Sequence, residues 1–189
     1  MHEEIKAHGI DGLPEEPSLQ QDLERQNKID RLNEIRKNVD EIVDLLGHPI
    51  EEGIKPTVVI LNALGLRTTQ SCEGEMDRWM AGPFVDIGPE LPAGNEWKRD
   101  KEQLPLVRHE ILLMRAKLNI FLNMFYSQHK ADYDTTLQHI ELGHDFRLQS
   151  NASELIAVLP PEQQKEALQK YQEEMRVFTE FLIKYYLES

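Results

Sequence analysis

Cysteine is nearly absent from this chain: Cys72 is the one thiol among 189 residues. A lone cysteine closes no intramolecular disulfide and suits a reducing compartment. Long apolar runs are missing too. The longest, such as Ile111-Leu112-Leu113-Met114, fall far short of the ~20 residues a membrane-spanning helix needs. The start, Met1-His2-Glu3-Glu4, has neither the basic nor the apolar region of a secretory signal, so a cytoplasmic protein is expected. Positive charge is scarce: 21 Lys and Arg stand against 34 Asp and Glu, a net charge of -13. That balance argues against broad electrostatic binding to nucleic acid or to an anionic membrane.

Phosphate-cradling and nucleophile motifs are also lacking. The chain contains no GxGxxG, no GxxxxGK[ST], no GxSxG, no CxxC and no HExxH, which removes the usual sequence warrants for nucleotide, serine-hydrolase and zinc-protease chemistry. There is no internal repeat and no low-complexity tract.

What is present is ordinary globular composition, 40% hydrophobic and 29% charged, too apolar for a disordered chain. Charge is uneven. Residues 1–50 hold 12 acidic against 6 basic side chains, and residues 98–130 hold 3 against 7. The second stretch is read as a solvated helix face rather than an RNA footprint, because its cations are spread out.

Residues 1–17, with Gly9, Gly12, Pro14 and Pro17 among charges, are expected to be a flexible leader. Residues 18–189 are expected to form one α+β domain. Ser18 and Gln21 make a capping box, and the apolar steps Ile29, Leu32, Ile35, Val39, Ile42, Val43 and Leu46 predict a helix running to Gly47 and Pro49. At that length, residues 18–46 are expected to be an arm that packs on a second subunit in a homodimer as well as on its own core. A second helix over 51–64 closes at Gly65. Leu66–Cys72 and Pro83–Gly88 read as strands. A helix from Leu106 to Ser127, apolar on most sides, is expected to be central. Thr135–Leu142 and Asp145–Ser150 read as a hairpin about Gly143-His144. A last helix starts at Pro160-Pro161 and runs to about Leu187. The sum is a small, mostly antiparallel sheet of about four strands packed with long helices.

The densest polar stretch is Thr68-Thr69-Gln70-Ser71-Cys72-Glu73-Gly74-Glu75-Met76-Asp77-Arg78-Trp79, at a strand end and in the loop that follows. It offers three chemistries. Cys72 with Glu73 and Asp77 could be a nucleophilic centre, needing His139 or His144 to lower the thiol pKa. Glu75, His139 and His144 could join Cys72 and Asp77 in a mixed metal site. Thr68, Gln70, Ser71, Arg78 and Trp79 could line a small-molecule pocket. The bland alternatives are a buried, inert cysteine, solvated or capping histidines, and polar groups that satisfy the loop backbone.

The run Leu61-Asn62-Ala63-Leu64-Gly65-Leu66-Arg67-Thr68-Thr69-Gln70-Ser71-Cys72-Glu73-Gly74, followed by Asp77, resembles uncharacterised bacterial proteins that carry LN-x-LG-x-x-T-x-x-SCEGH-x-D before a short Pro-aromatic strand. Pro83-Phe84-Val85-Asp86-Ile87, Phe146-Arg147-Leu148-Gln149-Ser150 and Tyr171-Gln172-Glu173-Glu174-Met175-Arg176 are similar to segments of the same proteins. The resemblance spans most of residues 45–185 and implies no activity and no cofactor. This chain departs from it at position 75, where Glu75 stands in place of His.

These features together predict an intracellular binding or regulatory module with a ligand pocket around residues 68–79. The alternative is a Cys72-centred or metal-dependent enzyme. Nucleic acid and membranes are not expected partners.

Overall fold

The computed structural model describes residues 19–44, 46–76, 82–94 and 96–189. The expected leader, Ser18, and Asp77, Arg78 and Trp79 lie outside the described residues. Helix α1 spans Leu19–Asp40, α2 Lys55–Ala63, α3 Gln103–Tyr126 and α4 Pro161–Glu188. Strands β1 Thr68–Cys72, β2 Phe84–Ile87, β3 Leu137–Glu141 and β4 Phe146–Ser150 form one sheet in the order β1-β2-β4-β3. Every neighbouring pair is antiparallel. The expected α+β architecture is therefore the observed one.

The hairpin forms because Gly143 supplies the left-handed φ of 94° that the turn needs, and Leu142 N–H donates to the Asp145 carbonyl across it. One sheet face presents Val85, Ile87, Leu137, Phe146 and Leu148 to the core. Ile60 and Leu61 of α2, Val107, Ile111, Met114, Leu118, Phe121, Leu122 and Phe125 of α3, and Met175, Phe178 and Leu182 of α4 complete it. Leu168, Tyr171, Met175, Phe178 and Leu182 of α4, three and four residues apart, make one buried stripe.

Helix α1 is shorter than its pattern suggests. It ends at Asp40, not Leu46, and the chain turns back on itself with a Val43–Pro49 bridge. The cause is local. The Asp44 carboxylate accepts from the backbone N–H groups of Leu46 (2.8 Å) and His48 (2.9 Å), while Asp44 N–H donates to the His48 carbonyl (2.9 Å). A side chain that satisfies nearby N–H groups competes with helical bonding. Gly47, at φ 82°, allows the tight turn. The backbone donors, that of His48 first, hold the Asp44 carboxyl below its ordinary pKa. Within α1, Ile35 and Val39 pack on Val58 and Val59 of α2, with Leu32 beside them. Ile35 and Val39 of the stripe are thus buried inside the chain, while Ile42, Val43 and Leu46 beyond the helix end are exposed.

Helix α3 also differs from expectation. It buries one face only, and Leu106, Leu112, Leu113 and Ile120 are exposed. The apolar residues all round this helix are not matched by apolar neighbours all round it.

The second sheet face is polar yet buried. Asp86 and Arg147 face each other in register, as do Phe84 and Gln149, and all four are buried. Arg147 makes a two-pronged contact with Asp86, Nε to Oδ1 at 2.6 Å and Nη2 to Oδ2 at 2.7 Å. Its guanidinium lies 3.8 Å from the centre of the Phe84 ring. Phe84 and Asp86 alternate with Val85 and Ile87 along β2, and neither side is solvated.

Candidate functional site

The polar segment begins where α2 stops. Gly65 adopts φ 73° after the helix, and Asn62 reaches over the turn. Asn62 Nδ2 donates to Thr68 Oγ1 at 2.7 Å and to the Val58 carbonyl at 2.8 Å, and its Oδ1 accepts from Thr68 N–H. This clamp sets the start of β1, an edge strand whose register slips between Thr68 and Gln70. Thr69 and Gln70 are exposed, and Thr68 and Ser71 half-buried. Thr69 Oγ1 donates to Asp145 at 3.3 Å.

Cys72 ends the strand and is buried, with 2% of its surface exposed. Its sulfur accepts the Gly74 N–H at 3.4 Å, a turn that requires the φ of 90° at Gly74. Glu73 has a holding role. Its Oε2 accepts from Gly53 N–H at 2.8 Å, and its carbonyl accepts from Gln172 Nε2 at 3.0 Å. It therefore ties the loop both to the turn before α2 and to α4. A Cβ on Gly53 would lie 2.6 Å from Glu73 Oε2, so a larger residue there would push this carboxylate aside.

The two histidines stand elsewhere. His139 is on β3, at the opposite edge of the sheet from β1, about 14 Å away at the usual strand spacing. Its Nε2 meets Asn119 Oδ1 at 3.1 Å, and its Nδ1 is buried without a hydrogen-bond partner. His144 sits in the β3–β4 turn with its ring edge-on to Trp97 at 4.7 Å. The strand order thus puts His139 at the far edge of the sheet from Cys72, and His144 in the β3–β4 turn. Among the described residues, no group of three or more His, Cys, Asp or Glu side chains is placed to hold a metal ion. Nor is any helix among them long and apolar enough to cross a membrane.

Burial, and next the Arg115 cation, lower the His139 pKa from its ordinary value of 6.5. The folded state thus holds His139 neutral where the unfolded chain would bind a proton. The stabilisation is complete above pH 6.5 and is lost as the pH falls through the lowered folded value. Wild-type urea midpoints should therefore drop below pH 6.5 more steeply than those of His139→Asn, and equal slopes would remove this role for His139.

Thr68, Thr69, Gln70, Ser71 and Glu75 do come together. They form one wall of a groove of ≈ 550 Å³, and residues 42–44 and 48–51 form the other. The second wall carries Asp44, His48 and Glu51 beside Ile42, Val43, Pro49 and Ile50. A smaller groove of ≈ 340 Å³ lies on the other side of the loop, between Glu73, Pro83 and α4. There the Glu73 carboxylate is committed to Gly53, and Arg176 is paired with Glu173 and Glu180. The larger groove has more exposed polar groups to offer a ligand.

Two elements of this region escape a linear reading. The 42–51 wall exists only because α1 stops early; its sequence signal is Asp44 ahead of Gly47 and Pro49, a turn composition. The Asp86–Arg147 pair was marked by single opposite charges inside two short apolar strands, but their pairing depends on β2 lying beside β4. No protein-family model, no curated protein and no solved structure matches the chain.

Proposed function

We propose that this chain is a binding module whose ligand, of positive charge, lies in the groove between the edge of β1 and residues 42–51. The lining of that groove supports the reading. Among the described residues that line it are three carboxylates (Asp44, Glu51 and Glu75), hydroxyls from Thr68, Thr69 and Ser71, the Gln70 amide and the His48 ring, and no Lys or Arg. Aliphatic side chains of Ile42, Val43 and Ile50 give the ligand an apolar surface to rest on. A concave, acidic, low-dielectric surface concentrates cations. An ammonium or guanidinium group there would meet carboxylate acceptors in charge-assisted hydrogen bonds.

The test is thermal unfolding of the protein with arginine amide, linear diamines and a lysine-rich tetrapeptide, beside glutamate as an acidic control. The cations should raise the melting temperature and glutamate should not. In Glu51→Gln/Glu75→Gln the affinity for the best cation should fall about tenfold. Stabilisation by glutamate alone, or cation binding unchanged in the double variant, would refute the site.

A further inference from the structure

We infer that the exposed flank of α3 is a self-association surface on which a second copy of this chain packs its own α3 in the antiparallel sense. Leu106, Leu113 and Ile120 are 69%, 58% and 58% exposed. They follow one another at seven-residue intervals, so on a helix of 3.6 residues per turn they share one face and drift by only ~20° per step. Met124, four residues beyond Ile120, extends the stripe. This flank is separate from the buried one of Val107, Ile111, Met114, Leu118, Phe121 and Phe125.

The arrangement itself selects the occupant. The stripe is symmetric about Leu113, with one large aliphatic residue seven positions on either side. A two-fold axis through Leu113 sets Leu113 against the partner's Leu113, and Leu106 against the partner's Ile120. The same axis brings Glu110 beside the partner's Lys117, and Lys117 beside the partner's Glu110. Neither Glu110 nor Lys117 has an ion-pair partner among the described residues. An isologous contact requires such self-complementarity, because each side must serve as both halves of the interface. Parallel packing would place Glu110 beside the partner's Glu110 and Lys117 beside the partner's Lys117, which is repulsive. The apolar residues supply the attraction; the exposed charge pairs set direction and register.

The contact stands apart from the proposed ligand groove, whose residues it does not use. Sedimentation equilibrium of the full chain tests it. Wild type should be a dimer at tens of micromolar. Leu113→Asp, at an exposed position that leaves the fold intact, should raise the dimer Kd by about a hundredfold or more. Glu110→Lys alone and Lys117→Glu alone should each weaken the dimer several-fold, and Glu110→Lys/Lys117→Glu should restore it. A wild-type monomer at these concentrations would overturn the inference. So would a dimer indifferent to Leu113→Asp, or a double charge reversal weaker than both single ones.

Discussion

Arg147→Met should destabilise the protein by about 3–5 kcal/mol, the usual consequence of stranding one charge of a buried pair. Arg147 and Asp86 are 6% and 4% exposed, and the guanidinium clasps the carboxylate through two hydrogen bonds. Methionine keeps much of the length over Phe84 but leaves the Asp86 carboxylate without this partner in a poorly hydrated place. The double variant Asp86→Leu/Arg147→Met removes both charges. It should recover most of the loss, since an apolar pair of similar volume often replaces a buried ion pair at little net cost. Urea unfolding of wild type, both single variants and the double variant gives the coupling between the two sites. Additive losses in the double variant would show that the two charges act independently. Because a domain of this kind carries about 5–15 kcal/mol in all, either single change uses a large share of it.

Phe178→Ala is the second large effect, a loss of about 3–5 kcal/mol. Phe178 has no exposed surface. Its ring meets Phe125 of α3 edge-on at 5.2 Å and lies parallel to Phe181 at 6.2 Å. It stands where α4 joins the core shared with α3 and the sheet. Truncation removes the transfer free energy of the ring and leaves a cavity that two long helices cannot close by small shifts. Phe178→Leu, which fills most of the volume, should cost well under half as much. Chemical denaturation with a common slope for the three proteins checks the ranking, and near-equal midpoints for Ala and Leu would show that the site collapses around the gap.

The elements were legible wherever local rules decide. Leu168, Tyr171, Met175, Phe178, Leu182 and Tyr185 announce α4 by spacing alone; the first five are buried and Tyr185 is partly buried. Gly143 announced the hairpin, and its positive φ follows from the turn. The end of α1 was misjudged because the apolar pattern continues through Val43 and Leu46 while the Asp44 side chain captures the backbone N–H groups that a helix would use. The burial of α3 was overstated for a related reason: hydropathy shows which residues are apolar, and only packing shows which of them have neighbours.

The candidate site divides along the same line. Its first wall, residues 68–75, stood out by composition. Its second wall was hidden in a segment read as helix. Cys72, His139 and His144 were grouped by chemical type, yet the β1-β2-β4-β3 order places Cys72 and His139 at opposite edges of the sheet.

By itself the sequence determined the α+β class, the positions of the main helices and of the β3–β4 hairpin, and the lack of any intramolecular disulfide. These follow from periodicity, turn residues and composition, which act over a few positions. Tertiary structure alone decided the strand order, the partnership of Asp86 with Arg147 across 61 positions, the capture of the Gly53 N–H by Glu73 and the facing of residues 42–51 with β1. Each is a contact between segments far apart in the chain, selected by the joint burial of apolar surface and the satisfaction of buried polar groups.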